Sequence, residues 1–260
     1  MKRRFFTKNQ FLIASVYLLI TLDLCFCETT EWGKLDSLDG LFYKNGDLYT
    51  GEVVKYLGGG LLRGNFKEGK RHGQWERNDR VGKPTLIGQY ENGEPHGRWR
   101  EWYSNGNPEV DAHFKHGVYH GVYIEWNQKG KKLIEANYVD GIEDGKYKEW
   151  HDNGKKAVYA SYNLGKCVGK YREWYESGKK LLQIEYLDGK ENGKWVQWYP
   201  NGKRELLINY TNGIANGKAK FWFENGSVQA EGDIIGDTPS GGWILRDAGG
   251  VKRSMKSSIQ

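Results

Sequence analysis

From residue 73 onward, apolar and polar positions recur with one fixed period, preceded by a worn 22-residue unit from Gly51 to His72. Gly73, Gly97, Gly121, Gly145, Gly169, Gly193, Gly217 and Gly241 stand 24 residues apart. Two further glycine series keep step with it, one running from Gly82 to Gly250 and one from Gly93 to Gly213. Counting the leading glycine as position 1, position 3 holds Trp75, Trp99, Tyr123, Tyr147, Tyr171, Trp195 and Trp243. Position 6 holds Trp102, Trp126, Trp150, Trp174, Trp198 and Trp222. Position 18 is again a ring: Tyr90, Phe114, Tyr138, Tyr162, Tyr186 and Tyr210. Of the 11 Trp, all but Trp32 fall on positions 3 and 6, so the Trp content is architectural. Such a repeat is one supersecondary unit that buries its apolar face only by stacking on its neighbours.

Each unit reads as two strands. Positions 2–7 are short, aromatic and charged. Asn-Gly at positions 9–10 (Asn105-Gly106, Asn153-Gly154, Asn201-Gly202, Asn225-Gly226) is a hairpin signal, because both residues tolerate positive φ. Positions 11–18 return, with apolar residues at 14, 16 and 18, as in Leu182, Ile184 and Tyr186. That is period two, with one face buried. Positions 19–24 form a second turn, and no helical period is sustained after residue 30. The expected fold is all-β, an elongated single-sheet antiparallel meander of tandem hairpins, each unit advancing about 10 Å. Positions 3 and 6 lie on opposite faces of a regular strand. Either a bulge brings the two rows together or both faces carry aromatics.

The repeats are expected over 40–253, with units starting near 51, 73, 97, 121, 145, 169, 193, 217 and 241. Residues 42–46 match positions 6–10 of a truncated unit, 28–39 read as a linker or cap, and 254–260 as a tail. The period is broken at Asn78 and Arg246 (position 6), Ala219 (position 3) and Asp237 (third glycine).

Residues 1–27 read as a secretory signal peptide. Lys2, Arg3, Arg4 and Lys8 precede the uncharged run Phe11 to Leu22, which falls short of the roughly 20 residues a membrane span needs. Cys25 and Cys27 suit cleavage before Glu28, so the chain is expected to be exported. Removing this segment takes four of the 39 basic and one of the 33 acidic residues, leaving a net charge near +3. The basic pI is then no argument for nucleic acid. Of the 3 Cys only Cys167 remains, so no disulfide framework is expected.

Catalysis needs a unique constellation, and this sequence repeats its polar groups. Glu101, Glu125, Glu149 and Glu173 share position 5 and read as a charge ladder opposite Lys148 and Arg172. His113, His116 and His120 are close in sequence, but His72, His96 and His120 share a turn position held elsewhere by Asp144, Asn192 and Asn216. They read as a polar turn, and no metal, cofactor or catalytic residue is assigned. Cys167 reads as an exposed spare thiol. Lysines at position 2 (Lys146, Lys170, Lys194, Lys218) and position 11 (Lys131, Lys155, Lys179, Lys203) form two basic rows, read first as edge protection and otherwise suited to an anionic surface. The candidate binding ladder is Trp99, Trp102, Trp126, Trp150, Trp174, Trp195, Trp198 and Trp222. Its rings read first as packing within the sheet and secondly as a platform for sugar rings.

Written out, the unit G-x-[WY]-x-x-W-[YHF]-x-x-G-K-x, with a return strand ending in Tyr and D-G-x-x-x-G, resembles the MORN-repeat superfamily. Gly97-Arg98-Trp99-Arg100-Glu101-Trp102-Tyr103-Ser104-Asn105-Gly106 is a good copy. In particular it looks like the variant repeats of the YwqK-family antitoxins, over about 40–250. The resemblance implies the hairpin fold and an interaction or membrane-associated scaffold. The expected partner is a protein or an envelope or membrane surface, with carbohydrate as the alternative. An antitoxin-like inhibitor is implied by the family name alone.

Overall fold

The computed structural model describes residues 31–253; the expected signal peptide and C-terminal tail lie outside the described residues. The chain forms one long antiparallel ladder of hairpins, and its only helical element among the described residues is the 3-10 turn Glu31–Lys34. In the unit that begins at Gly145, strand Gly145–Trp150 pairs with strand Lys156–Asn163, from Gly145 opposite Tyr162 to Glu149 opposite Val158. Trp150 then faces Lys156, so Ala157 is the extra residue of a β-bulge. The return strand pairs in turn with Lys166–Cys167 and with Gly169–Trp174 of the next unit. The ladder is open. Among the described residues, Gly51–Leu57 pairs with Gly60–Lys67 alone, and no pairing joins it to the C-terminal pair Ile244–Arg246 and Lys252–Arg253.

Aromatics line both faces, which resolves the choice left by the strand pattern. Positions 3, 14, 16 and 18 share one face, here the ring face, and positions 2, 4, 6, 15 and 17 share the other. Trp75, Tyr90, Trp99 and Phe114 meet edge to face with centroids 5.8, 5.5 and 5.9 Å apart. Tyr147–Tyr162 and Tyr171–Tyr186 repeat that contact. Edge-to-face geometry sets the positive rim of one ring against the negative face of the next.

The ring at position 3 leans over position 16 of the preceding unit. A Cβ at Gly88 would collide with the Trp99 ring, and one at Gly64 or Gly232 with Trp75 or Trp243. Residue size follows accordingly. Glycine lies under Trp at these three places, and Ala112, Ala136 and Ala160 precede Tyr123, Tyr147 and Tyr171. Ile208 faces Ala219, so the missing ring at 219 is replaced by a larger residue beneath it. Where Ile184 stands at position 16, the next ring, Trp195, is half-buried while Trp75 and Trp99 are buried.

The two turns exchange the roles expected of them. Both central residues have positive φ at positions 20–21, as at Asp140-Gly141 (48° and 81°) and Asp188-Gly189 (52° and 81°), the signature of a type I′ hairpin. At Asn-Gly of positions 9–10 only the glycine has positive φ. The asparagine acts through its side chain instead. Asn153 accepts from the Lys155 N–H (2.9 Å) and donates to the Glu176 carbonyl of the next unit (2.8 Å). Asn105, Asn201 and Asn225 repeat both bonds.

Residues 42–46 depart from the truncated-unit expectation. Leu41–Lys44 pairs with Asp36–Leu38 and Asp47–Leu48 in a separate three-stranded sheet. It docks on the ladder where the Phe42 N–H donates to the Gly69 carbonyl (2.9 Å) and the Gly69 N–H to the Tyr49 carbonyl (2.8 Å). Trp32 covers the first rings, edge-on to Phe66 and Trp75 at 5.4 Å each. The segment is an apolar lid over the exposed end of the ring stack, which a terminal unit needs for lack of a neighbour.

The pairing of sizes under the rings predicts a coupled pair. Gly88→Ala should destabilise by about 1–3 kcal/mol through overpacking, although alanine suits an extended strand better than glycine. Trp99→Tyr in the same chain should recover most of that loss, because it recreates the Ala–Tyr pair found elsewhere. Urea melts of the two single variants and the double variant check this; additive losses would contradict it.

Candidate functional site

The eight Trp of the candidate ladder divide between the two faces. Trp99 is buried on the ring face at 5% exposure, its Nε1 donating to Glu101 Oε1 (2.8 Å). Trp195 lies there too, tilted against Tyr210 with centroids 5.6 Å apart. Trp102, Trp126, Trp150, Trp174, Trp198 and Trp222 occupy the opposite face, all half-buried. The ladder is therefore six rings on one face. They are neither the buried core that the packing reading implied nor freely exposed plates.

This Trp face is polar around its rings. The Arg100 guanidinium lies over Trp102 at 5.3 Å, Lys180 Nζ over Trp198 at 5.4 Å and Lys220 Nζ over Trp222 at 5.7 Å. Such contacts draw a cation onto the negative face of the ring. Ion pairs fill the same surface: Arg98–Asp111 at 2.6 Å and Lys220–Glu231 at 2.8 Å across strands, and Lys132–Glu135 at 2.7 Å along one strand. Arg246, at the position-6 site of the last unit, pairs with Glu231 at 2.7 Å, a polar replacement for the ring. The backbone under three of these Trp is held by the residue that follows the Trp of the preceding unit. Tyr103, Tyr175 and Tyr199 donate their hydroxyls to the carbonyls of Trp126, Trp198 and Trp222 at 2.7–2.8 Å.

The two lysine rows part company. Lys131, Lys155 and Lys179 each donate Nζ to a carbonyl of the next hairpin turn at 2.8–2.9 Å, and Lys203 does so at 2.5 Å. The position-11 row is therefore structural. Lys146, Lys170, Lys194 and Lys218 at position 2 stay exposed on the Trp face.

The position-5 glutamates lie on the ring face, away from Lys148, which pairs with Glu135 instead. Tyr123, Tyr147 and Tyr171 donate to Glu125, Glu149 and Glu173 at 2.9, 3.3 and 2.6 Å, two residues along the same strand. Burial pushes the Glu101 and Glu149 carboxyls above the usual range, outweighing the hydrogen bonds from Trp99 and Tyr147. Cys167 is half-buried, and burial pushes its thiol up to about 11, so it is not the exposed spare thiol expected.

The histidine neighbours in sequence do not converge. Among the described residues, the group whose ligand atoms come together is Glu91, His96 and His116, all within 4.8 Å. The usable signal in the sequence was the joining of position 24 of one unit to position 20 of the next.

An open β-ladder with a packed ring face and a polar Trp face defines a repeat scaffold. Residues 95–116, 143–164, 168–188, 191–212 and 215–233 match the family described as MORN repeat variant, and across 95–233 the chain belongs to it. The unit between the first two matches keeps the same strand register. No curated protein matches the chain.

The half-buried Glu101 carboxylate predicts a pH-dependent gain. A raised folded-state pKa means the charged form is penalised in the fold, so stability falls as pH rises through the interval between the unfolded and folded values. Glu101→Gln removes that penalty and keeps an acceptor for Trp99 Nε1; Gln197 already occupies this position. The variant should melt higher than wild type at pH 7.5, and the gain should vanish below the ordinary glutamate range. A gain that grows on acidification would contradict this.

Proposed function

We propose that the protein is a non-enzymatic exported scaffold that binds a protein or an envelope or membrane surface through the Trp face. The observation that carries this is the row of six half-buried Trp, flanked by exposed position-2 lysines and repeated about every 10 Å. Trp and Arg are enriched where interfaces concentrate their energy, because a large ring surface desolvates at little conformational cost. A row of equivalent weak contacts gains strength by multivalency, provided the spacing on the partner matches. Repeat modules of this kind generally mediate binding.

Carbohydrate binding is the second reading. Sugar stacking needs open ring faces. Cations already lie over Trp102, Trp198 and Trp222, leaving Trp126, Trp150 and Trp174 as the available platform. The antitoxin reading rests on a family name.

Export predicts a mature N-terminus near Glu28. Mass spectrometry of the processed protein checks it, and an intact Met1 or a lipid on Cys25 or Cys27 would contradict it.

The binding reading predicts a separation of stability from binding. Trp126→Ser, Trp150→Ser and Trp174→Ser each remove a half-buried ring, at an expected cost of about 1–2 kcal/mol. The triple variant should still fold and should lose most of its retention on isolated envelope membranes and their extracted proteins. Retention on insoluble polysaccharide that is lost in the same variant would favour the carbohydrate reading. Unchanged retention on all three would remove the Trp face as the site.

A further inference from the structure

In three units, the position-24 side chain caps the next unit's turn. Asn192 Oδ1 accepts the Asn212 N–H at 3.3 Å, Asp144 Oδ2 the Leu164 N–H at 3.0 Å, and His120 Nδ1 the Asp140 N–H at 3.3 Å. At His96 and His116 this cap is absent. His96 Nδ1 is shut off from solvent and makes no aligned hydrogen bond, although Glu91 Oε2 is only 3.2 Å away. The rings of His96 and His116 lie with centroids 5.3 Å apart.

The backbone holding these groups is fixed from three sides. The His96 N–H donates to the Gln89 carbonyl (2.8 Å), the Gly117 N–H to the Pro95 carbonyl (2.9 Å), and Glu91 pairs with Glu94 across the tight turn. His116 itself sits at φ 48° as the first central residue of its type I′ turn. The combination also breaks the repeat. Position 19 is Glu only at 91; elsewhere it is Lys115, Val139, Asn163, Leu187, Thr211 or Ile235. Position 20 is His only at 116, among Asn92, Asp140, Leu164, Asp188 and Asn212.

We propose that Glu91, His96 and His116 form a binding site for a divalent transition metal of the Zn²⁺ class. Ligand atoms about 2.0–2.2 Å from zinc in a tetrahedron are about 3.3–3.6 Å from one another. The Glu91–His96 separation of 3.2 Å already matches that edge, and the full set within 4.8 Å closes by side-chain rotation. Two imidazoles and one carboxylate suit Zn²⁺, Ni²⁺ or Cu²⁺ over Ca²⁺ or Mg²⁺, which prefer all-oxygen sets. Three protein ligands leave one position for water or for a partner's side chain. Metal at this inter-unit turn would join two neighbouring units through a bond that the plain repeat makes by capping.

The test is Zn²⁺ titration by calorimetry on the intact chain made without a polyhistidine tag. One Zn²⁺ per chain is expected. His96→Asn and His116→Asn install residues that the repeat already carries at these positions, so both variants should fold. Loss of an outer-shell partner alone costs about 10–100-fold in metal affinity, so loss of either ligand should cost at least that. His113→Ala should bind as wild type. Co²⁺ substitution in the unmodified chain gives a second readout, with visible bands of a tetrahedral site expected. No saturable Zn²⁺ uptake, affinity unchanged in the two Asn variants, or a Co²⁺ spectrum identical to the free ion would each overturn the proposal.

Discussion

The structure depends on one contact, the position-3 ring of most units lying over a small position-16 residue of the unit before. A single hairpin has no second layer to bury its apolar face, and an isolated two-stranded unit is at best marginal in water. Here the second layer is supplied by the neighbour's ring. The contact sets the requirement for Gly88 under Trp99, for alanine before tyrosine, and for Ile208 beside Ala219. It also explains the lid. The first rings have no preceding unit to lean on, and Trp32 with Phe42 covers them.

Turn chemistry supplies the register that ring packing alone does not. Rings slide over one another at little cost, whereas a hydrogen bond is made or lost over a fraction of an ångström. Each Asn at position 9 and each Lys at position 11 reaches the next turn's carbonyls, so adjacent hairpins are locked at the same height. On the far edge, the position-21 amide does the same, as the Gly189 N–H does to the Cys167 carbonyl at 3.0 Å. The ladder is thus fastened along both edges and packed in the middle. This arrangement consumes one of the two lysine rows and leaves the other exposed on the surface.

Most of the fold was legible because the period exposes its own geometry: glycine spacing located the turns, and alternation at 14, 16 and 18 marked the buried face. What was not legible arose from choices that a strand pattern leaves open. Asn-Gly reads as a positive-φ pair in either hairpin, and only the backbone shows that the type I′ turn is at Asp188-Gly189 and its equivalents. The β-bulge opposite Trp150 is silent in the sequence, since Ala157 looks like any apolar residue of a return strand. The candidate site was legible as a list of rings but not as a surface. Trp99 and Trp102 are three residues apart, and one is core while the other faces outward. The partner of Lys148 was missed for the same reason, because Glu135 belongs to the neighbouring unit.

In a repeat protein, departures from the period are the natural place to look for function, but most of them here are compensated. Ala219 is filled from below by Ile208, and Arg246 trades a ring for an ion pair with Glu231. Asp237 keeps the turn by exchanging places with Gly236 and accepts the Ala215 N–H at 2.7 Å. Each of these supplies a local contact in place of the one the standard residue would have made. Such substitutions carry information about packing alone. The His96–His116 junction differs in kind. It lacks the cap made at His120, Asp144 and Asn192 and leaves a shielded imidazole nitrogen without an aligned partner, with a carboxylate beside it. A buried polar atom left without a hydrogen bond costs free energy, and a fold able to place asparagine at both positions, as it does at Asn192 and Asn212, had a simpler solution available. His72 Nδ1 and Asn78 Oδ1 are likewise left without a partner, so what separates this junction from the rest of the array is the second imidazole and the carboxylate within reach of the unpartnered nitrogen.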